Sequence, residues 1–282
     1  MKRLVAIILS LVAAPLAAQD MVFDNHVHLH DGEASAREYE AKAKADGQSV
    51  IGYGAMWFGG GNQAPAGNTA DIRARNDAVL AMAKRHSAML PIATVHPYDG
   101  DAALAELARL AALGVKVLKI HPHTQQFDAS DPRVLRLAQR AGELGIIVMM
   151  DNANILPGDS EKLFNLALAA PKTKFIFAHI GGLNFRFWNV LKLIRTAEGL
   201  FGNNIWFDIS ATVTIAADSP LAEEFAWTLR NVGIDHVLLG SDYPQFSIKQ
   251  NVDALSRLPL TVEEKTKIAS GNAQSLFGSN RP

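Results

Sequence analysis

A single-domain α/β protein built as a (β/α)8 TIM barrel is the fold this sequence predicts, on three observations. Eight short β-branched or apolar runs alternate with longer stretches of helical periodicity. Glycine and proline punctuate the joints between them. Ionisable residues recur where the apolar runs stop. Alternating strands and crossover helices imply a parallel sheet covered on both faces. Eight strands in 282 residues suit a closed barrel better than an open doubly wound sheet.

The elements follow in order. Lys2 and Arg3 precede an apolar run from Leu4 to Ala18, with small residues before Gln19, which predicts a signal peptide over residues 1–19 and one domain over 20–282. The run is too short to span a membrane comfortably, so a periplasmic or secreted protein is expected, with no stable membrane association after cleavage. Strands are expected at Val22–Asn25, Ser49–Met56, Leu90–Val95 and Val115–Ile120, then at Ile146–Asp151, Lys174–Ala178, Ile205–Ile209 and Val237–Leu239. Helices are expected at Ala34–Ala45, Ile72–His86, Ala102–Ala112 and Pro132–Leu144, then at Ser160–Leu168, Leu183–Thr196, Leu221–Val232 and Asn251–Leu258. Gly114 and Gly145 sit where a helix C-cap belongs, and Asp131-Pro132 reads as a helix start. The glycine-rich stretch from Gly59 to Gly67 reads either as a surface loop or as a lid carrying Trp57 and Phe58 at the barrel mouth.

Composition narrows the chemistry. With a net charge of −1, nothing favours nucleic acid or an anionic membrane surface. No cysteine is present, so disulfides, thiolate ligands and a thiol nucleophile are excluded, and any metal must be held by His, Asp or Glu.

Those residues stand at strand ends, which converge on one mouth in a barrel. The first strand runs into His26-Val27-His28, and residues two apart share a face, so both imidazoles can point inward. An isolated His-x-His is weak evidence, but other strands add Lys119 and His121, Asp151, His179 and Asp242. Five strands each ending in an ionisable group are hard to explain as structure alone.

At these residues the sequence resembles the metal-dependent amidohydrolase superfamily, in its amidohydrolase-related (amidohydrolase 2) branch of lactonases, related hydrolases and non-oxidative decarboxylases. The matching stretches are Asp24-x-His26-x-His28, Gly114 to Pro122, Phe127-x-x-x-Asp131-Pro132-Arg133, Ala178-His179-Ile180-Gly181-Gly182, Gly240-Ser241-Asp242-Tyr243-Pro244 and Gly271-Asn272-Ala273-x-x-Leu276-Phe277. The resemblance implies that His26 and His28 are metal ligands, that Asp242 is a ligand or the general base, and that His179 stands beside the metal as a catalytic group. The sequence departs on the fifth strand, where metal-binding relatives usually place a histidine and this chain has Asp151. Asp151 either ligates, shifting selectivity towards harder ions, or the metal is weakened or absent. One divalent ion is expected, zinc first and manganese as the alternative.

The expected reaction is hydrolysis of a lactone, ester or amide by metal-activated water, with Asp242 as base and His179 and Lys119 steadying the oxyanion. Non-oxidative decarboxylation of an aromatic or unsaturated acid is the alternative, and a non-catalytic ligand-binding barrel the third reading. Lys119, His121, Trp57 and Arg186 are the expected substrate contacts, although Lys119 also reads as a charge balance and His121 as a residue fixing the Pro122 turn. The partner is then a small molecule, and a homo-oligomer is left open.

Overall fold

The computed structural model describes residues 21–59 and 61–278. The signal-peptide segment expected over 1–19 lies outside them. Among the described residues no helix is long and apolar enough to cross a membrane.

Eight strands run in chain order: β1 Met21–His28, β2 Ser49–Met56, β3 Met89–Ala93, β4 Val117–Ile120, β5 Ile147–Asp151, β6 Phe175–Ala178, β7 Ile205–Asp208 and β8 Val237–Leu238. Each pairs in parallel with the next. Between β8 and β1 the circle is joined by backbone bonds from Asn25 N to Leu239 O and from His28 N to Tyr243 O, each 2.9 Å. The result is a nearly closed, single-domain (β/α)8 barrel.

Two apolar shells explain why these runs become strands. Inward-facing Leu90, Ile92, Val117, Ile147, Met149, Ile176 and Leu238 fill the barrel. Phe23 and Phe277, ring centroids 5.4 Å apart, join that cluster, Phe277 from the terminal helix Asn272–Phe277. Outward-facing residues of the same strands, among them Leu118, Ile120, Val148, Phe175 and Phe207, pack under the helices. Strands buried on both faces read as unbroken apolar runs, which is the pattern in the sequence.

Several element bounds differ from expectation for local reasons. β1 reaches His28 because its ladder with β2 shifts register between Asp24 and Val27, and the extra residue lets the strand continue with both histidines aimed inward. The helix expected over 183–196 is mostly a kinked 3-10 run, His179–Asn189, followed by the short helix Val190–Ile194. Gly182 causes part of the kink: at φ +53° a Cβ there would stand 2.4 Å from Ala153 O. Short helices at Pro122–Gln125 and Thr212–Ala217 were beyond the reach of periodicity, being one to two turns long.

Candidate active site

The site assembles at the C-terminal mouth of the barrel. A pocket of about 310 Å³ is lined there by His26, His28, His30, Gly59, Gln63, Lys119, His121, Thr124, Asp151, His179, Asp242, Pro244 and Gln245.

Its inner wall begins at β1. Asp24, fully buried, accepts from His26 N at 3.1 Å, Ser241 N at 2.8 Å and Tyr39 Oη at 2.8 Å, tying the register shift in β1 to the end of β8. Burial pushes its carboxyl up to about 6 despite those bonds. Asp242 N donates to His26 O at 2.9 Å, which brings the Asp242 side chain over the two histidines. Asp242 and His179 both hold positive φ, 61° and 62°, a strained backbone of the kind functional sites retain.

The imidazole tautomers follow from their partners. His26 Nδ1 lies 2.7 Å from Asp208 Oδ2, and His28 Nδ1 faces the Phe58 carbonyl, which can only accept. Each ring therefore carries its hydrogen on Nδ1 and turns a bare Nε2 inward. Burial, reinforced by Lys119, pushes His26 well below the ordinary histidine value. The two Nε2 atoms stand 3.0 Å apart, and each is 3.4 Å from Asp242 Oδ1. Three acceptors facing one another at these distances repel unless a cation lies among them. His26, His28 and Asp242 are the group that meets the geometry of a metal site among the described residues. The donor set fits a divalent ion of the zinc or manganese kind, with the outer histidine nitrogens anchored as metal-binding histidines are.

Asp151, which the sequence offered as a further ligand, stands outside that triad. Its Oδ2 lies 3.2 Å from His179 Nε2 and 3.4 Å from His121 Nε2. Burial would raise its carboxyl, but the His179 hydrogen bond and the surrounding cationic groups hold it well below the usual carboxylate range. His179 Nδ1 faces Ser210 O at 3.1 Å, so both of its nitrogens meet acceptors and both carry hydrogens. Burial alone would lower His179, yet Asp151 outweighs it and holds the imidazolium at about 9. His121 is pushed down by burial to about 4, and its Nδ1 accepts from Thr124 N at 3.4 Å, so it both caps the turn at Pro122 and lines the pocket. Lys119 is fully buried, with Nζ 3.3 Å from His26 Nε2, and burial lowers its pKa.

Two expected substrate contacts lie elsewhere. The Trp57 ring packs against Gly32 and under Arg75, whose guanidinium carbon is 5.3 Å from the ring centroid. Arg186 is spent on Glu224, at 2.5 and 2.6 Å, on an exposed face. Neither lines the pocket. Phe58 is buried in the barrel cluster and Ala64 O accepts from Gln125 Nε2, so this segment is pinned to the body at both points.

Asp208 is the residue that the sequence reading missed. It ends β7 where an apolar run stops, the same signal that flagged Asp151, yet its partner is another side chain and not the pocket. Gly240 makes the contact feasible: a Cβ there would stand 2.6 Å from Asp208 Oδ1 and 2.8 Å from His26 Cβ. Asp208→Asn is expected to weaken divalent-metal binding by about 10- to 100-fold with little change in melting temperature. Competition titration against a chromophoric chelator measures this, and an unchanged affinity would remove Asp208 from the metal site.

Comparison with known proteins fixes the class. The sequence model of the Amidohydrolase family matches residues 23–279, and the chain belongs to that family. It is an enzyme fold of the amidohydrolase superfamily. No curated protein sequence matches significantly. Among solved structures, the barrel is similar to 5-carboxyvanillate decarboxylase from Sphingomonas paucimobilis, with TM-score 0.69 and 17% identity over 92% of this chain and 98% of that one. It is similar to 2,6-dihydroxybenzoate decarboxylase from Rhizobium, with TM-score 0.68 and 17% identity over 92% and 98%. A third is a dihydroxybenzoic acid decarboxylase from Polaromonas sp. with bound manganese and an inhibitor, with TM-score 0.66 and 14% identity over 93% and 98%. At such identities the likeness establishes the fold. It also corrects the expected order of reactions, since these barrels are decarboxylases and the hydrolytic reading loses its precedence. The pocket gives a physical reason: Asp242 belongs to the cation-seeking triad and Asp151 is engaged by His179 and His121, so neither carboxylate is free to take a proton from water.

Proposed function

We propose that this protein is a metal-dependent, non-oxidative decarboxylase of a small aromatic carboxylic acid. The observation that carries the reading is the pairing, in one pocket, of a cation-seeking triad with a buried imidazolium. Decarboxylation breaks the bond between a ring carbon and its carboxylate, releases carbon dioxide, and requires a proton at the vacated carbon. The site offers that proton at His179, which Asp151 holds as an imidazolium, and leaves no carboxylate free as a base.

A divalent ion held by His26, His28 and Asp242 would bind substrate oxygens and draw off the negative charge that builds on the ring. Manganese is the ion we favour, because the carboxylate suits a harder metal and two barrels of this shape are described with manganese bound. Lys119 and His121 line the same pocket and are the candidates for orienting the substrate. A volume of about 310 Å³ is at the small end for ligand pockets and suits a single-ring acid.

The test is a panel of hydroxylated benzoic acids given to protein loaded with Mn²⁺ or Zn²⁺, in deuterium oxide. Carbon dioxide release with one deuterium at the vacated carbon is expected. Metal-loaded protein that cleaves none of these acids, or that yields product without deuterium, rules the reading out.

A further inference from the structure

We propose that the opposite, N-terminal end of the barrel holds a second ligand site, one that takes a small organic anion with a phosphate or carboxylate head and an apolar body. This does not depend on the reaction assigned to the mouth.

A pocket of about 430 Å³ opens there, between the terminal helix Asn272–Phe277 and the starts of β4, β5 and β6. Lys116 stands immediately before β4, and Lys172 and Lys174 stand in the turn that leads into β6. All three line the pocket, and among the described residues no acidic side chain does. Among the described residues none of the three has a carboxylate partner, and Lys174 has only the Trp206 face, its Nζ 5.5 Å from the ring centroid. Nearby Arg140, by contrast, is matched by Glu143 at 2.8 Å. Three like charges around one concavity leave an uncompensated positive potential, and low-dielectric walls focus it inward.

The floor has a different character. Ile147, Leu276 and Phe277 belong to the apolar cluster that fills the barrel. Among the described residues, a Cβ built on Gly145 or Gly278 would meet nothing within 4 Å. A bare inorganic ion would satisfy the lysines and leave the floor wet. An anion carrying a ring or short chain satisfies both, since covering apolar surface adds about 25 cal/mol per Å². The volume falls in the range of small-molecule pockets. Among the described residues no histidine, carboxylate or thiol lines it to activate Ser275 or a lysine, so the chemistry is recognition and not turnover.

The experiment is calorimetric titration of the full chain with phenyl phosphate, and separately with inorganic phosphate. Wild type is expected to bind phenyl phosphate more tightly than phosphate, with affinity falling as salt rises. The variant Lys116→Gln/Lys172→Gln/Lys174→Gln, whose changes are all at exposed positions, is expected to bind it at least about 10-fold more weakly. Asp242→Asn, which disables the mouth, is expected to bind it as wild type does. Chemical-shift changes at the Ser275 and Phe277 amides would place the ligand. Absence of binding to wild type, equal affinity in the lysine variant, or loss of binding in Asp242→Asn would each overturn the site.

Discussion

Asp242→Asn is expected to empty the metal site and abolish decarboxylation while the barrel stays folded. The carboxylate supplies the only anion of the triad, and its Oδ1 is 3.4 Å from both ligand nitrogens. An amide oxygen there is neutral, so two histidine nitrogens would have to hold a dication alone. Outer partners of metal ligands are worth about 10- to 100-fold in affinity, and losing a ligand itself costs at least the upper end of that range. The fold should tolerate the change, because asparagine accepts the left-handed backbone that Asp242 occupies at φ 61°. The measurement is metal content after dialysis, beside a melting curve and the carbon dioxide assay. Full metal occupancy in a folded variant would show that Asp242 is not a ligand.

The second large effect concerns Asp151 and appears as a change in pH dependence. With Asp151 present, His179 is held at about 9, so its proton is available throughout the neutral range and is lost as pH rises through that value. The rate should therefore be flat through neutrality and fall on the alkaline side near pH 9. Asp151→Asn removes the largest of the interactions that oppose burial and leaves only the more weakly acting Asp242 and Asp208 against it, so the His179 pKa falls. At pH 7 the variant should retain a small fraction of kcat, and acidification should restore part of it. Metal content should not change, because Asp151 stands outside the triad. A loss of activity with an unmoved alkaline limb would mean that Asp151 does not set the His179 proton. Loss of metal instead would return Asp151 to the ligand set.

The same imidazolium carries a stability consequence of fixed sign. A histidine raised on folding stabilises the native state below its unfolded pKa, and that contribution disappears as pH rises through the folded value. Weakening of wild-type stability on the alkaline side, near pH 9, should be absent in Asp151→Asn.

Much of this protein was legible in the sequence. The alternation of two-faced apolar runs with amphipathic stretches specified a parallel barrel, because each run must be buried on both sides and each crossover must cover one of them. The ends of those runs named His26, His28, Lys119, His121, Asp151, His179 and Asp242, and all seven line one pocket. Strand ends are legible because a ladder position fixes which end of the barrel a side chain occupies.

What each residue does at that end was decided by tertiary structure. Asp151 could ligate or not by sequence, and the distances assign its charge to His179 and His121. Asp208 was invisible because it acts on His26 across 182 residues of chain, through a contact that Gly240 leaves room for. Trp57 and Arg186 were placed at the mouth by their neighbours in sequence, and their own packing and ion pairing took them away from it. Sequence periodicity constrains which way a side chain faces, whereas hydrogen-bond partners and charge balance depend on groups brought together from distant strands. The metal triad was therefore predictable as a place, and its division into three cation-seeking acceptors beside one held imidazolium is a property of the folded barrel alone.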